Sequence, residues 1–350
     1  MIRSTSSGRF LAVVGAVAVA QAGWAATPAD RLTVTAEDQR AAAQVTAPFR
    51  HLKPANGPLA QERKAGNIAR QGPARAEASS GAQAGAFATG PRFPGDLTYH
   101  GGAVLKNVVS HNIYLDGSGA CTTGACWGDP ERYLKDLSKS KFIHLVDEFT
   151  GSDQDGRYTV GPPVHTSTPS GTLLTDNDAL AVVHAAAKAS GKTGYGHMYH
   201  VFLAPGTDLC FDSSYSVCYS PDNGPTFYFC AYHSSVDFAD VGHVVYSVEP
   251  YQNVSGCSVR PGTPNGQLVD STNSVLSHEL FEAITDPDGD GWWNSTDNAN
   301  YFNENGDECS FITYVSPRYY FDPSLYVANG RFYATQPEYS NARHSCTTEP

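Results

Sequence analysis

The chain alternates between stretches with a clear apolar rhythm and stretches with none. Residues 107–117, NVVSHNIYLDG, alternate apolar and polar positions and predict a strand. Residues 130–149, PERYLKDLSKSKFIHLVDEF, space their apolar positions as a helix does. Residues 175–191, TDNDALAVVHAAAKASG, predict a second helix, capped by Asp176 or Asp178, filled by Ala and Leu, and stopped by Gly191. Three apolar and aromatic runs, 199–205, 226–232 and 243–251, read as strands. After a polar loop a third helix runs from about Ser271 to just before Pro287, with Val275, Leu276, Leu280, Ala283 and Ile284 as its buried stripe. From about residue 298 the chain is Tyr-rich and loop-rich. Helices and strands are interspersed rather than grouped. The expectation is one α/β (α+β) domain over residues 91–350, with a mixed sheet.

Upstream of residue 91 the rhythm fails. Residues 27–90 are rich in Ala, Gly, Gln and Arg and poor in aromatic and β-branched residues. Such a composition buries too little apolar area to offset the entropy of ordering, so the segment reads as a low-complexity linker or pro-segment. Residues 1–26 place Arg3 and Arg9 beside a short apolar run, Phe10 to Ala20, followed by Ala20-Gln21-Ala22. That is the layout of a signal peptide, and the run is too short to cross a bilayer. A secreted protein is expected, extracellular or in the cell wall, with no membrane segment after cleavage.

Eight cysteines suit an oxidising compartment: Cys121, Cys126, Cys210, Cys218, Cys230, Cys257, Cys309 and Cys346. Pairing of neighbours is the expectation, 121 with 126, 210 with 218, 230 with 257, and 309 with 346, although spacing alone leaves every pairing open. The formal net charge is -12, from 23 basic and 35 acidic residues. An acidic surface repels phosphate backbones, which argues against nucleic acid as a partner.

Residues 277–294 read SHELFEAITDPDGDGWWN and hold two metal-like patterns in succession. In HELFE, His278 and Glu282 sit four apart, one helical turn along the same face, where they can grip one cation. In H-E-x-x-H zinc hydrolases the two histidines hold zinc and the intervening glutamate is the general base. Here Glu282 replaces the second histidine and Glu279 keeps the base position. Carboxylate is an acceptable zinc ligand, though more oxygen shifts preference toward manganese or calcium. The same residues also fit an ordinary helix pair. Residues 303–309, NENGDEC, offer Glu304 and Asp307 as further ligands in a turn braced by Cys309. His233 is a candidate for stabilising an oxyanion, or else a packed strand histidine. Trp292 and Trp293 either line a cleft or pack under the loop. In DPDGDG, Asp286, Asp288 and Asp290 match the first acids of a calcium loop, whose last ligand position falls on Asp297, where Glu is usual. The other reading is turn chemistry after a helix.

Several of these motifs occur together in one order. His278-Glu279-Leu280-Phe281-Glu282 is followed by Thr285-Asp286-Pro287, Trp292-Trp293, Glu304-Asn305-Gly306-Asp307 and Asn329-Gly330-Arg331, with Cys346 last. LTYHGG (97–102) and FCAYHSS (229–235) precede them. The chain thereby resembles the EXORDIUM family, also called phosphate-induced proteins, of plants, with secreted bacterial relatives. The resemblance spans about residues 96–346. It implies a secreted or cell-wall protein and a zincin-like domain built on the HExxE helix. Its shared acidic cluster comprises His278, Glu279, Glu282, Glu304 and Asp307. It supplies no established reaction. Asp288 and Asp290 depart from the family pattern, which weakens calcium as the central function.

Two functions fit. One is a secreted zinc hydrolase, peptidase-like, with metal on His278, Glu282 and Asp307 or Glu304, and Glu279 as general base. The other is a non-catalytic extracellular binding protein with a structural metal and a peptide or cell-wall ligand. A serine hydrolase is disfavoured by the lack of G-x-S-x-G. Paired-acid glycoside hydrolysis is disfavoured because Glu279 and Glu282 lie on one helix rather than on opposite sides of a bond.

Overall fold

Strand pairing turns the apolar alternation into two cores, one on each face of a mixed sheet. The computed structural model describes residues 31–47, 49–55, 95–116, 121, 126–169, 171–211, 213–294, 304–315 and 320–350. The expected signal peptide and the acid at Asp297 lie outside them. Seven strands form the main sheet: β1 (His51–Pro54), β2 (Val108–Leu115), β3 (Tyr158–Val160), β4 (Val164–Thr166), β5 (His197–Leu203), β6 (Phe229–Phe238) and β7 (Gly242–Glu249). Their order is β1-β6-β7-β5-β2-β3, with β4 also on β2. The β7-β5-β2-β3 run is parallel, whereas β6 and β1 each join antiparallel.

Side chains alternate across this sheet. Tyr199, Val201, Tyr232, Val236, Val244 and Tyr246 pack with helix α3 (Asp176–Ser190). Met198, Phe202 and Val245 pack with helix α2 (Pro130–Leu137) and helix α4 (Gln267–Thr285). Helix α3 opens on a capping box, in which Thr175 is the N-cap and Asp178 reaches back to it. It ends on Gly191 at φ 66, a left-handed conformation that glycine adopts without strain. All four expected disulfides are present, and Cys309–Cys346 ties helix α5 (Asp307–Thr313) to the C-terminal ribbon. The chain is a mixed α/β domain stabilised by disulfides. No helix among the described residues is long and apolar enough to cross a membrane.

Two expectations are corrected. Residues 31–55 are not a spacer. Helix α1 (Ala36–Ala42) packs on α3, and β1 forms the edge of the main sheet. Sheet hydrogen bonds and buried Val34, Ala42 and Leu52 supply what the composition did not suggest. The helix expected over 130–149 is broken. It stops at Leu137, a 3-10 turn covers Phe142–Val146, and one α turn follows at Asp147–Thr150. Ser140 Oγ accepts the Ile143 N–H (3.3 Å) and starts the new turn, as hydroxyls do at helix ends.

Candidate metal centre

Helix α4 is buried at every residue from Asp270 to Thr285, so its polar side chains must find partners inside the protein. One helical turn brings His278 Nε2 to 3.1 Å from Glu282 Oε1. Glu279 points toward β6, where its Oε2 lies 3.4 Å from His233 Nδ1. The turn before α5 closes over the helix. Asp307 donates its backbone N–H to Glu282 Oε1 (2.9 Å), and its Oδ1 stands 3.6 Å from His278 Nε2. Gly306 permits this approach, because a Cβ there would sit 2.5 Å from His278 Nδ1. Glu304 faces His51 Nδ1 at 3.1 Å and His233 Nε2 at 3.8 Å.

Three sets of donors result: His278, Glu282 and Asp307; His233, Glu279 and Glu282; and His51, Asp286 and Glu304. Within each set the donor atoms lie within 4.8 Å of one another. His278 Nε2, Glu279 Oε1, Glu282 Oε2 and both Asp307 carboxylate oxygens are buried without a hydrogen-bond partner. An unpaired buried carboxylate costs several kcal/mol, so this concentration requires protons or cations. The sequence motif therefore brings together five expected residues, His278, Glu279, Glu282, Glu304 and Asp307, and His233 joins them.

The electrostatics state the same conflict. Burial pushes the Glu279, Glu304 and Asp307 carboxyls well above the usual range, and the charge of Glu282 adds to it. Glu282 is held low. Burial opposes that, but His278 and His233 overcome it. Burial pushes His278 down to about 4, against the pull of Glu282. For His233 burial is outweighed by Glu279 and Glu282, which raise it to about 10.

The two histidines are oriented differently. His233 Nε2 lies 3.2 Å from the Asp286 carbonyl, so it donates there and turns Nδ1 toward Glu279 and Glu282. A histidine ligand is commonly fixed in this way, with a carbonyl taking the other ring proton. His278 Nδ1 accepts from Gln336 Nε2 (3.0 Å), which also donates to the Gly306 carbonyl (2.6 Å). A cation on His278 Nε2 would move the ring proton to Nδ1, which the Gln336 amide accepts only after turning its oxygen to the ring. Lys53 Nζ stands 3.4 Å from the same Nδ1, and burial lowers its pKa against the pull of Glu338 and Glu279.

The residues that sequence reasoning missed come from the ends of the chain. β1 sets His51 opposite His233 and Lys53 opposite Ala231, so both face the cluster. His51 and His233 stack at 5.2 Å. Lys53 bonds Gln336, and the buried Glu338 leaves both its carboxylate oxygens unpaired. A polar-apolar-polar alternation at His51-Leu52-Lys53 was the only signal, and one apolar residue is too few to register as a strand.

The acids of the expected calcium loop face different partners. Asp286 turns inward, accepting the Gly291 N–H (2.7 Å) and joining His51 and Glu304. Asp288 is occupied by Ser235 (2.7 Å), Tyr195 and His243. Among the described residues no donor set combines these acids with Asp290. Trp292 and Trp293 pair with Thr98–Tyr99 and pack on Phe149 and His100. Compared with protein-family models, curated proteins and solved structures, the chain matches none.

Proposed function

We propose that the protein is a secreted, EXORDIUM-like metal-dependent hydrolase with a zincin-like centre and a peptide substrate. His278, Glu282 and Asp307 hold the cation, zinc in this reading, and Glu279 Oε1 takes the proton from the attacking water. The observation that carries it is the convergence of buried His278, Glu282 and Asp307 donor atoms, with His278 Nε2 and both Asp307 carboxylate oxygens lacking a hydrogen-bond partner. The peptide class is supported by β1, an extended segment paired antiparallel on β6 beside His233. Peptides add to sheet edges in this manner.

The test is the metal content of the purified protein and of His278→Ala, together with peptide hydrolysis by Glu279→Gln. His278→Ala is expected to lose its metal. Glu279→Gln is expected to keep the cation at His278 while hydrolysis falls at least about 100-fold, the size of a general-base contribution. Equal, negligible metal in the parent and in His278→Ala sinks the site. A second reading, a non-catalytic extracellular binding protein with a structural metal, is favoured by the 0% exposure of His278, Glu279, Glu282 and Asp307. Metal bound by the parent and lost in His278→Ala, with no peptide hydrolysis by either, selects it.

A further inference from the structure

Glu282 belongs to two donor sets at once. Its Oε1 faces His278 Nε2 at 3.1 Å, and its Oε2 faces His233 Nδ1 at 3.6 Å. The two oxygens of this single carboxylate thus look into different nests, one closed by Asp307 and the other by Glu279. We infer that the centre is dinuclear: a second divalent cation sits among His233, Glu279 and Glu282, and Glu282 bridges it to the cation held by His278 and Asp307. The inference rests on the metal-binding part of the proposed function and extends it.

Three observations support the second cation. The donors form two sets of three that share Glu282, rather than one set of five. A cation with bonds of about 2.0–2.2 Å cannot reach donors on both sides of the bridge. Unpartnered buried atoms occur in both nests, Asp307 Oδ1 and His278 Nε2 in one, Glu279 Oε1 in the other, with Glu282 Oε2 at the bridge. His233 gives its Nε2 proton to the Asp286 carbonyl and directs Nδ1 at Glu279 and Glu282, a position held by a proton in the metal-free chain and open to a cation that displaces it. Glu279 can serve both roles, because Oε2 faces His233 and Oε1 is unpartnered. Two-metal hydrolytic sites hold their ions about 3.5–4 Å apart, a distance that one bridging carboxylate spans.

The test uses the full chain. The protein is stripped with chelator, reloaded with zinc, and its bound metal counted; the manganese-loaded form is examined by electron paramagnetic resonance. The expected result is two ions per chain, magnetically coupled in the manganese form. His233→Gln should bind one ion, Asp307→Asn one, and Glu282→Ala fewer than either. Thermal unfolding identifies any variant that fails to fold, and the coupling measurement on the unaltered chain needs no variant. Saturation at one ion overturns the second site and leaves the proposed hydrolase standing. Two uncoupled ions overturn the Glu282 bridge, and two ions still bound by His233→Gln overturn the assignment of the second nest. No bound ion removes both this inference and the proposed function. Two coupled ions without hydrolysis support the inference and remove the hydrolase.

Discussion

His184 on α3 and His278 on α4 are both wholly buried, on helices that pack against opposite faces of one sheet. His184 has an acid on each ring nitrogen, Asp38 at 2.7 Å and Asp240 at 2.9 Å. Nearby Asp176 is equally well served by Arg50, Tyr232 and Tyr246. His278 instead leaves Nε2 unpartnered among carboxyls that are themselves unpaired. Burial is the same in both places, so burial alone does not mark a site. What differs is whether the polar atoms are satisfied. The α3 side is a closed hydrogen-bond network, which stabilises the fold. The α4 side is left open to a cation, and its composition is costly without one.

The sharpest way to break this contrast is to exchange the two histidines' fates. His278→Ala should lower metal affinity at least about 100-fold, read by competition with a chelating dye, because it removes a ligand outright. His184→Ala should leave metal content unchanged. It should lower stability by about 1–3 kcal/mol in urea unfolding, the cost of leaving a buried acid unpaired. If His184→Ala sheds the metal, the two sides are not separable. A smaller perturbation tests the fit of the loop. Gly306→Ala forces the turn off His278 and should cost about 1–3 kcal/mol, as overpacking does, while weakening metal binding.

The carboxyls allow a test of sign. Asp307→Asn should leave the metal-free chain as stable as before or more so, since burial and repulsion already oppose the Asp307 charge. The same change should destabilise the metal-loaded chain, and calorimetry of both forms reads the difference. The smallest effect concerns acid. Asp38 is held below its ordinary range: burial opposes this, but hydrogen bonds from Thr35 and His184 prevail. A depressed carboxyl contributes stability above its unfolded pKa of about 3.9 and loses it as pH falls through the lower folded value. Asp38→Asn should therefore flatten part of the stability profile below about pH 4 and change nothing in metal content.

Much of the α4 side could be read before any coordinates. His278 and Glu282 are fixed to one face by helical periodicity, and Glu304 and Asp307 sit in a turn braced by Cys309. Helix α3 was legible for the same local reasons, whereas the disulfides, whose pairing spacing left open, join neighbours as expected. The N-terminal contribution was not. β1 is four residues long and gains its order from β6, which lies far along the chain from it. Gln336 and Glu338 were hidden because nothing in a Tyr-rich tail signals that it folds back against α4. The acids of DPDGDG were ambiguous because a calcium loop and a turn use the same residues. Only the partners Ser235, Tyr195 and His243 distinguish them for Asp288.

The edge strand also sets an order of events. Lys53 and His278 are 225 residues apart in sequence, yet they meet inside the centre. Contacts of such long range form late, after the local helices and hairpins. His233, His278, Glu282 and Asp307 all lie downstream and can gather before β1 arrives. β1 covers one side of the centre, with His51 and Lys53 facing it. A cation held there would leave the finished protein only as the edge of the sheet came undone. Metal exchange should accordingly follow the rate at which β1 peels away, rather than the intrinsic lability of the cation.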